Sequence, residues 1–238
     1  MLRIAAVALF LSIPGLAAAQ DCASYAQFKA DTTLTLESLD TKGKPQATTT
    51  SKTTSVKPGG GGLEATVHAE TVDPKGKVSN VLDYTATCVA GEVRLDMRAF
   101  LSSDTMAAYK DWDVKIEADH VAYPAALAAG QVLPDGHVKM TMAMRGATPG
   151  MPGAGGTMTL DLVNRTVVGP ERVTVPAGAY DAWKISYDAN TTIMTIAPFK
   201  IGLRVTEWWV PGLGPVRSET TSAKGNPMGS SQLVGVTP

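Results

Sequence analysis

The chain has 238 residues, of which 44% are hydrophobic and 18% are charged, with 21 basic against 22 acidic side chains. The hydrophobic fraction is ordinary and sufficient for a folded core. Because the charges nearly balance and form no runs, the composition gives no electrostatic basis for binding nucleic acid or an anionic membrane. Nucleic acid is therefore not an expected partner.

The N-terminal segment, residues 1–19, has the pattern of a secretory signal peptide. A basic start at Arg3 is followed by a short apolar run and by small residues that end at Ala19. We expect cleavage between Ala19 and Gln20, a periplasmic or extracellular location, and no transmembrane segment, since the apolar run is too short to span a bilayer comfortably. The residue directly before Cys22 is an aspartate, whereas a lipid anchor requires a small residue there.

Two cysteines, Cys22 and Cys88, lie in the exported part of the chain. An even cysteine count in an oxidising compartment predicts a disulfide, and the alternative is a pair of buried free thiols. A bridge closing so long a loop would contribute about 4 kcal/mol in the chain-entropy model. No histidine or further cysteine lies at ligand spacing near either residue, so we predict neither a metal site nor a cofactor.

The rest of the chain shows the period-two alternation of β-strands separated by turns rich in Gly and Pro. In the clearest case, Val93, Leu95, Met97 and Ala99 alternate with charged residues. The strands predicted in chain order are Asp31–Leu39, Thr48–Val56, Leu63–Val72, Val78–Cys88, Glu92–Ala99, Val114–Asp119, Val138–Ala143, Met158–Val163, Arg165–Val175, Tyr180–Thr192, Lys200–Val210, Pro215–Thr221 and Ser231–Val236.

Three segments depart from this plain alternation. Thr48–Val56 is polar on both faces, which predicts an exposed or edge strand. Ser102–Lys110 is the one segment that favours a short helix. The loop Gly146–Gly156 has almost no side chains to order it, so we expect it to be mobile.

About twelve strands joined by tight turns, without sustained helical periodicity, define the fold class. We predict an all-β protein: an antiparallel, strongly curled sheet or closed β-barrel with at most one or two short helices. Residues 20–238 are expected to form a single domain.

Several short motifs along the chain resemble one known family in their order and spacing. They are Cys22, Asp73–Lys77, Cys88–Gly91, Asp96–Met97, Asn164–Arg165, Glu171, Pro176–Tyr180, Lys184–Ile185, Tyr187, Trp209 and Pro211–Glu219. Together they resemble the TapB-type family of exported bacterial proteins, whose shared domain is a β-barrel of unknown function. The resemblance covers nearly all of the mature chain, and it implies an envelope location, a barrel and no catalytic residues.

The resemblance also bears on ligands and on the cysteines. Similar curled-sheet barrels include the LolA-like carriers of lipidated proteins, so an apolar cargo is an expectation by analogy. Members of the TapB-type family often carry a further cysteine after the Pro-Ala-Gly turn, where this chain has Ala182 followed by Trp183. Cys22 and Cys88 are therefore left as the only pair that can form a bridge.

The sequence contains no recognisable set of catalytic residues. His68, His120 and His137 each stand alone, without a second ligand or an acidic cluster at suitable spacing. There is no Gly-x-Ser-x-Gly nucleophile elbow, and Asp111 and Asp113 lie in a polar context typical of a solvated turn. We therefore expect that the protein is not an enzyme.

Five side chains are candidates to face a ligand: Met140, Met142, Met144, Trp183 and Trp209. The three methionines repeat with period two and should share one strand face. Thioethers can bind Cu(I), but methionine more commonly fills irregular apolar interiors. Because the neighbours Trp208 and Trp209 must point to opposite faces of a strand, one is expected in the core and the other at an interface or under a loop.

These patterns favour a non-enzymatic exported protein whose barrel binds an apolar small molecule, a lipid or a partner segment. The alternative is a structural or interaction scaffold of the cell envelope, with an envelope protein as its partner and no small-molecule ligand. The identity of any ligand or partner is not encoded in a recognisable motif.

Overall fold

The structure, a computed structural model, describes residues 22–100, 112–146, 155–194 and 197–238. Within these ranges it contains thirteen β-strands and three short 3-10 turns. The strands are β1 (Thr33–Leu39), β2 (Pro45–Gly59), β3 (Gly62–Val72), β4 (Val78–Val89), β5 (Glu92–Asp96), β6 (Trp112–Ala118), β7 (His120–Tyr123), β8 (Gly136–Met144), β9 (Gly155–Val175), β10 (Gly178–Met194), β11 (Pro198–Val210), β12 (Gly214–Ser222) and β13 (Pro227–Thr237).

All thirteen strands form one antiparallel sheet in the order β6-β8-β9-β10-β11-β12-β13-β1-β2-β3-β4-β5-β7. The sheet curls into a nearly closed barrel, which confirms the predicted all-β class. The described residues contain no helix beyond the three 3-10 turns, and no helix in them has the length and hydropathy needed to cross a bilayer.

Asp119 closes the ring of strands, because it alone separates the two edge strands β6 and β7. Ala118 still pairs with β8, whereas His120 already pairs with β5. The amide of Asp119 donates to the carbonyl of His137 at 2.9 Å, and its carbonyl accepts from the amide of Met97 at 3.1 Å. One continuous segment thus changes partners at a single residue, which leaves few unpaired backbone groups at the seam.

The sequence predicts an exposed or edge strand at Thr48–Val56. The edge alternative is wrong, because β2 pairs with β1 on one side and with β3 on the other. Its polarity has a different cause, since hydroxyl groups on one of its faces bond within the barrel. Thr49 Oγ1 lies 2.9 Å from Thr71 Oγ1, and Thr53 Oγ1 donates to the carbonyl of Gln27 at 3.1 Å. A strand that is polar on both faces can therefore be a central strand that borders a partly polar interior.

β9 differs from the sequence prediction, which divides it into two strands at Asn164. The strand runs unbroken from Gly155 to Val175, and Asn164 takes a left-handed conformation with φ of 58°. The pairing with β10 shifts register between Ser186 and Asp188, opposite this point. An irregularity of the β-bulge type therefore takes the place of the predicted boundary between two strands.

Two further differences concern the middle of the chain. β5 ends at Asp96, and Met97–Phe100 forms a 3-10 turn where strand alternation was expected to continue to Ala99. The short strand β7 was not predicted. The predicted helix at Ser102–Lys110 lies outside the described residues, as does most of the predicted mobile loop Gly146–Gly156.

One end of the barrel, called the base below, is closed by the N-terminal segment. Cys22, Tyr25 and Phe28 are buried there, and a disulfide joins Cys22 to Cys88 of β4. The amide of Ala26 bonds to the carbonyl of Gly212 at 2.6 Å. Gly212 has φ of +80°, and a Cβ at this position would lie 2.9 Å from the Tyr25 ring, so the close contact requires glycine.

A smaller apolar cluster on the neighbouring strands also helps to close the base. It includes Trp208, Val216 and Leu233, which are buried with side chains of β9 and β10. The β9–β10 hairpin reaches across to β13, where the amide of Ala177 donates to the carbonyl of Leu233 at 3.1 Å.

The opposite end of the barrel is called the mouth. Because successive hairpin turns of an antiparallel barrel alternate between its two ends, the turns next to the N-terminal segment, β4–β5 and β11–β12, lie at the base. The turns β1–β2, β3–β4, β10–β11 and β12–β13 therefore lie at the mouth, and they follow one another around the rim.

We predict that the disulfide between Cys22 and Cys88 contributes about 4 kcal/mol to the free energy of unfolding, since it closes a loop of 66 residues. Urea unfolding of the oxidised protein and of the double variant Cys22→Ser/Cys88→Ser measures this difference. Addition of a reductant should destabilise the wild type to the same extent and leave the variant unchanged. Equal midpoints for the oxidised protein and the variant would contradict a stabilising bridge.

Candidate functional site

An apolar cavity of about 100 Å³ lies inside the barrel between the N-terminal segment and strands β12, β13 and β1 to β5. Aliphatic side chains form most of its wall: Leu34, Leu36, Val67, Leu95 and Leu233. A cavity needs roughly 10–15 Å³ to hold one water molecule, so this one is several times larger. It is nevertheless smaller than the pockets that enclose whole drug-sized ligands, which start at about 300 Å³.

The cavity has a few polar groups and no charged ones. Ser51, Thr53 and Tyr84 supply hydroxyl groups, and burial raises the pKa of Tyr84, with an opposing hydrogen bond from Ser51. Gln27 donates through Nε2 to the carbonyl of Leu213 at 3.1 Å, while its Oε1 is buried without a hydrogen-bond partner. No Asp, Glu, Lys, Arg or His among the described residues lines this cavity.

A wider, open hollow of about 290 Å³ adjoins the cavity on the side of the mouth. Ser51 and Tyr84 line both spaces and lie at the boundary between them. Thr49, Thr71 and Asn80 give the hollow a more polar wall than the inner cavity has. The interior therefore changes from apolar near the base to mixed polar at the mouth, and no charged residue in the described ranges lines either part.

A buried polar cluster occupies another part of the interior and was not predicted from the sequence. Arg165 is fully buried, and its Nη1 donates to the carbonyls of Ala122 at 3.2 Å and Pro134 at 2.6 Å. Its guanidinium carbon lies 4.9 Å from the centre of the Tyr123 ring. Tyr123 also stacks on Trp209 with ring centres 3.7 Å apart. The charged side chain is thus held by backbone carbonyls and an aromatic face.

Glu207 is the acidic member of this cluster and is 4% exposed. Burial raises its pKa, against the opposing effects of the Tyr123 and Tyr187 hydroxyls and the Arg165 charge. The Tyr187 hydroxyl donates to Glu207 Oε2 at 3.4 Å. Burial also raises the pKa of both tyrosines well above the ordinary value, which keeps them protonated as donors. The cluster is packed into the core and lies outside the lining of the apolar cavity.

The structure places four of the five predicted ligand-facing side chains in or against the packed core and leaves Met144 exposed. Met140 and Met142 are buried in it, Met144 is 46% exposed, and Trp209 stacks on Tyr123. Trp183 pairs with Trp209 across β10 and β11 and packs against the same core. None of the five lines the apolar cavity, so their role as ligand contacts stays a prediction.

Of the two alternatives predicted for the second tryptophan, the surface aromatic is wrong for Trp208, whose cluster is packed against strand residues and the turn residues Ala177 and Leu213. Trp208 is 4% exposed and belongs to the smaller cluster at the base. The cationic groups of Lys184 and Arg217 each lie 5.0 Å from the centre of its ring. Both neighbouring tryptophans are therefore buried, one on each face of β11.

The remaining polar candidates are exposed and form surface pairs. His68 lies 2.8 Å from Asp83, and His137 lies 2.9 Å from Asp161. Asp113 pairs with an arginine, whereas its predicted companion Asp111 falls outside the described residues. In the part of the chain that the structure describes, no group of three or more His, Cys, Asp and Glu side chains could hold a metal ion.

The fold and the interior together define a class of protein: a nearly closed antiparallel β-barrel that is plugged at one end and partly hollow inside. The chain belongs to the DUF3108-like family, whose model matches residues 29–233. The comparison supports the expected membership of an uncharacterised family and does not confirm the TapB-type name. No curated protein matches the chain.

Two solved structures share the fold at low sequence identity. A protein from Bacteroides fragilis, described as exported and as having a YmcC-like fold, has a TM-score of 0.71 and 22% identity, covering 90% of this chain and 99% of that chain. A protein from Parabacteroides distasonis, described as a lipoprotein, has a TM-score of 0.73 and 22% identity, covering 92% of this chain and 100% of that chain. At this identity the similarity shows the fold alone.

We predict that Glu207→Gln reduces the pH dependence of stability. Since burial raises the pKa of Glu207, the folded protein holds this proton to a higher pH than the unfolded chain does. The contribution of Glu207 to the free energy of unfolding is therefore fully present below the unfolded pKa of about 4.3. It declines as the pH rises through the raised pKa of the folded state. The amide of the variant cannot ionise, so the free energy of unfolding of the variant relative to wild type should increase with pH through this window.

Urea unfolding at a series of pH values measures this effect. Glu171→Gln serves as a control of opposite sign, because a hydrogen bond from Lys184 lowers the pKa of that exposed carboxyl. A constant difference between Glu207→Gln and wild type across the pH series would contradict the raised pKa.

Proposed function

We propose that this protein is a non-enzymatic binding protein of the cell envelope that holds a single apolar chain inside its barrel. The end of the chain occupies the inner cavity, and the rest passes Ser51 and Tyr84 into the hollow at the mouth. The observation that carries the proposal is the pair of adjoining spaces, an apolar inner cavity and a wider, more polar hollow, whose walls share Ser51 and Tyr84.

The dimensions and the chemistry of this space favour an acyl chain with an uncharged polar end. The inner part is too small for a bulky ligand, whereas a flexible chain can use both parts. Thr49, Thr71 and Asn80 can bond to hydroxyl or ester groups near the mouth. A carboxylate or ammonium group inside the hollow would lose its hydration, and none of the residues that line the hollow carries an opposite charge, so its burial is unfavourable.

We also propose that the protein is not catalytic, and the residues that line the two interior spaces support this. The wall contains hydroxyl groups, but no His, Asp, Glu or Lys of the described ranges accompanies them. Proton transfer to or from a bound molecule requires such a group within hydrogen-bond reach. The envelope location has support from the signal-like pattern of residues 1–19 and from the description of one similar structure as an exported protein.

We predict that Ser51→Leu weakens binding of a fluorescently labelled monoacylglycerol by about tenfold or more, because the larger side chain intrudes at the boundary between the two spaces. Titration of the labelled lipid, followed by its fluorescence, measures the dissociation constant. Thr50→Leu is the matched control, since the neighbouring position on β2 points to the opposite face.

The titration of the wild type and the two variants has three informative outcomes. Loss of binding in Ser51→Leu with full binding in Thr50→Leu supports the proposal. Equal binding by the two variants places the lipid elsewhere, and no binding by the wild type removes an acyl ligand.

A further inference from the structure

Three hairpin turns at the mouth share one local structure. They are Asp40–Lys44, Asp73–Lys77 and Ser222–Asn226, and each has lysine third and glycine fourth. In both aspartate turns the amides of the third and fifth residues bond to Oδ1 of the first residue at 2.8 and 2.9 Å. In the third turn the hydroxyl of Ser222 accepts from the amide of Asn226 at 3.1 Å.

The glycine of each turn holds the left-handed conformation that the geometry requires. Gly43, Gly76 and Gly225 have φ of 75°, 79° and 82°. This conformation disfavours other residues, so the turn shape is fixed by sequence. Each turn therefore presents its lysine to solvent in a defined position, and all three lysines are exposed.

The topology gathers these turns on neighbouring hairpins. The turns β12–β13, β1–β2 and β3–β4 follow one another around the rim, with β10–β11 next to them. Six exposed lysines lie on these four hairpins at the mouth: Lys42, Lys44, Lys75, Lys77, Lys200 and Lys224. Within the described residues none of the six forms an ion pair.

Few acidic groups oppose this charge at the turns themselves. Asp40 and Asp73 are the acidic residues of the turns, and each uses a carboxylate oxygen on its own backbone amides. The mouth is therefore basic although the whole chain carries a formal net charge of −1. The composition alone gives no basis for attraction to an anionic membrane, but a net charge does not report how folding distributes the charges over the surface.

The same hairpins expose large apolar side chains. Of the ten exposed large hydrophobic residues in the described ranges, six lie on the β3–β4, β10–β11 and β12–β13 hairpins near the mouth. They are Val78, Val81, Met194, Phe199, Ile201 and Met228, with exposed fractions from 39% to 60%.

We propose that the mouth of the barrel docks on an anionic lipid surface. Lysines near an anionic bilayer are attracted to its surface potential, and apolar side chains between them can enter the boundary between headgroups and acyl chains. Nucleic acid matches the charge but gives Phe199 and Met228 no apolar environment. The proposal does not depend on the nature of the interior ligand, although docking would place the hollow, which opens at the mouth, against the lipid.

Vesicle co-sedimentation of the mature chain tests the docking. The probes are phosphatidylcholine vesicles with and without roughly one third phosphatidylglycerol, at low and at raised salt. Wild type should bind the anionic vesicles, bind the neutral ones weakly, and lose affinity as salt increases. The triple variant Lys42→Gln/Lys75→Gln/Lys224→Gln should bind more weakly by about fivefold for each lysine, on the order of a hundredfold in total.

A matched triple variant at exposed lysines away from the mouth, Lys29→Gln/Lys57→Gln/Lys139→Gln, should bind the anionic vesicles like wild type. Phe199→Ser/Met228→Ser should weaken vesicle binding severalfold without changing the affinity for a DNA duplex. Circular dichroism checks that each variant is folded, which is expected because every substituted side chain is exposed.

Equal losses in the two lysine triples would overturn the proposal, because total charge and not its position would then govern binding. Binding of DNA as tight as that of anionic vesicles, with no effect of Phe199→Ser/Met228→Ser on either, would assign the surface to a polyanion instead. Ser51→Leu should leave vesicle binding unchanged, so failure of the interior ligand and failure of the docking surface are distinguishable.

Discussion

The structure depends on the hydrogen bonds that Asp119 makes to both neighbours of its strand. They let β6 and β7 act as one segment that begins beside β8 and ends beside β5. An open sheet would expose two long edges to other chains, and it would have no enclosed interior. Closure of the ring creates an inside with two ends, and the N-terminal segment then closes one of them through Tyr25, Phe28 and the disulfide.

The distribution of side-chain size explains where the interior is hollow. Several inward positions of β2 to β4 carry small residues, including Ser51, Ala69 and Ala86, which line the two spaces. Across the barrel, the interior is filled by large side chains such as Trp209 and Met140. Arg165, Glu207 and the two tyrosines with them lie in this filled region, where a buried charge is tolerated only with close polar partners.

Much of the fold could be predicted from the sequence, because period-two alternation and Gly-Pro turns are local signals. The position of the Thr-rich strand β2 was misjudged, since part of its polarity reflects hydroxyl contacts to β3 and to the N-terminal segment, which the sequence does not reveal. The disulfide followed from the cysteine count, whereas the burial of Arg165 and Glu207 had no local signal, because charged residues on strands are usually exposed. The cavity could not be predicted either, because an internal gap depends on which small side chains face one another in the folded barrel.

The clustering of lysines at the mouth could not be predicted from the sequence either. Each Asp-x-Lys-Gly-Lys turn is visible in the sequence, but nothing local places Asp40–Lys44 beside Ser222–Asn226. Strand order brings them together, and the wider hollow adjoins the cavity on the same side. An enclosed apolar space and a basic, partly apolar rim are thus two consequences of one closed sheet.

Native mass spectrometry of the protein purified from its own host, without detergent or added lipid, tests most directly whether the barrel holds an acyl chain. We expect a species whose mass exceeds that of the mature chain by one single-chain lipid, which solvent extraction removes. A spectrum that contains only the bare mature chain would contradict the claim that the barrel holds an acyl chain.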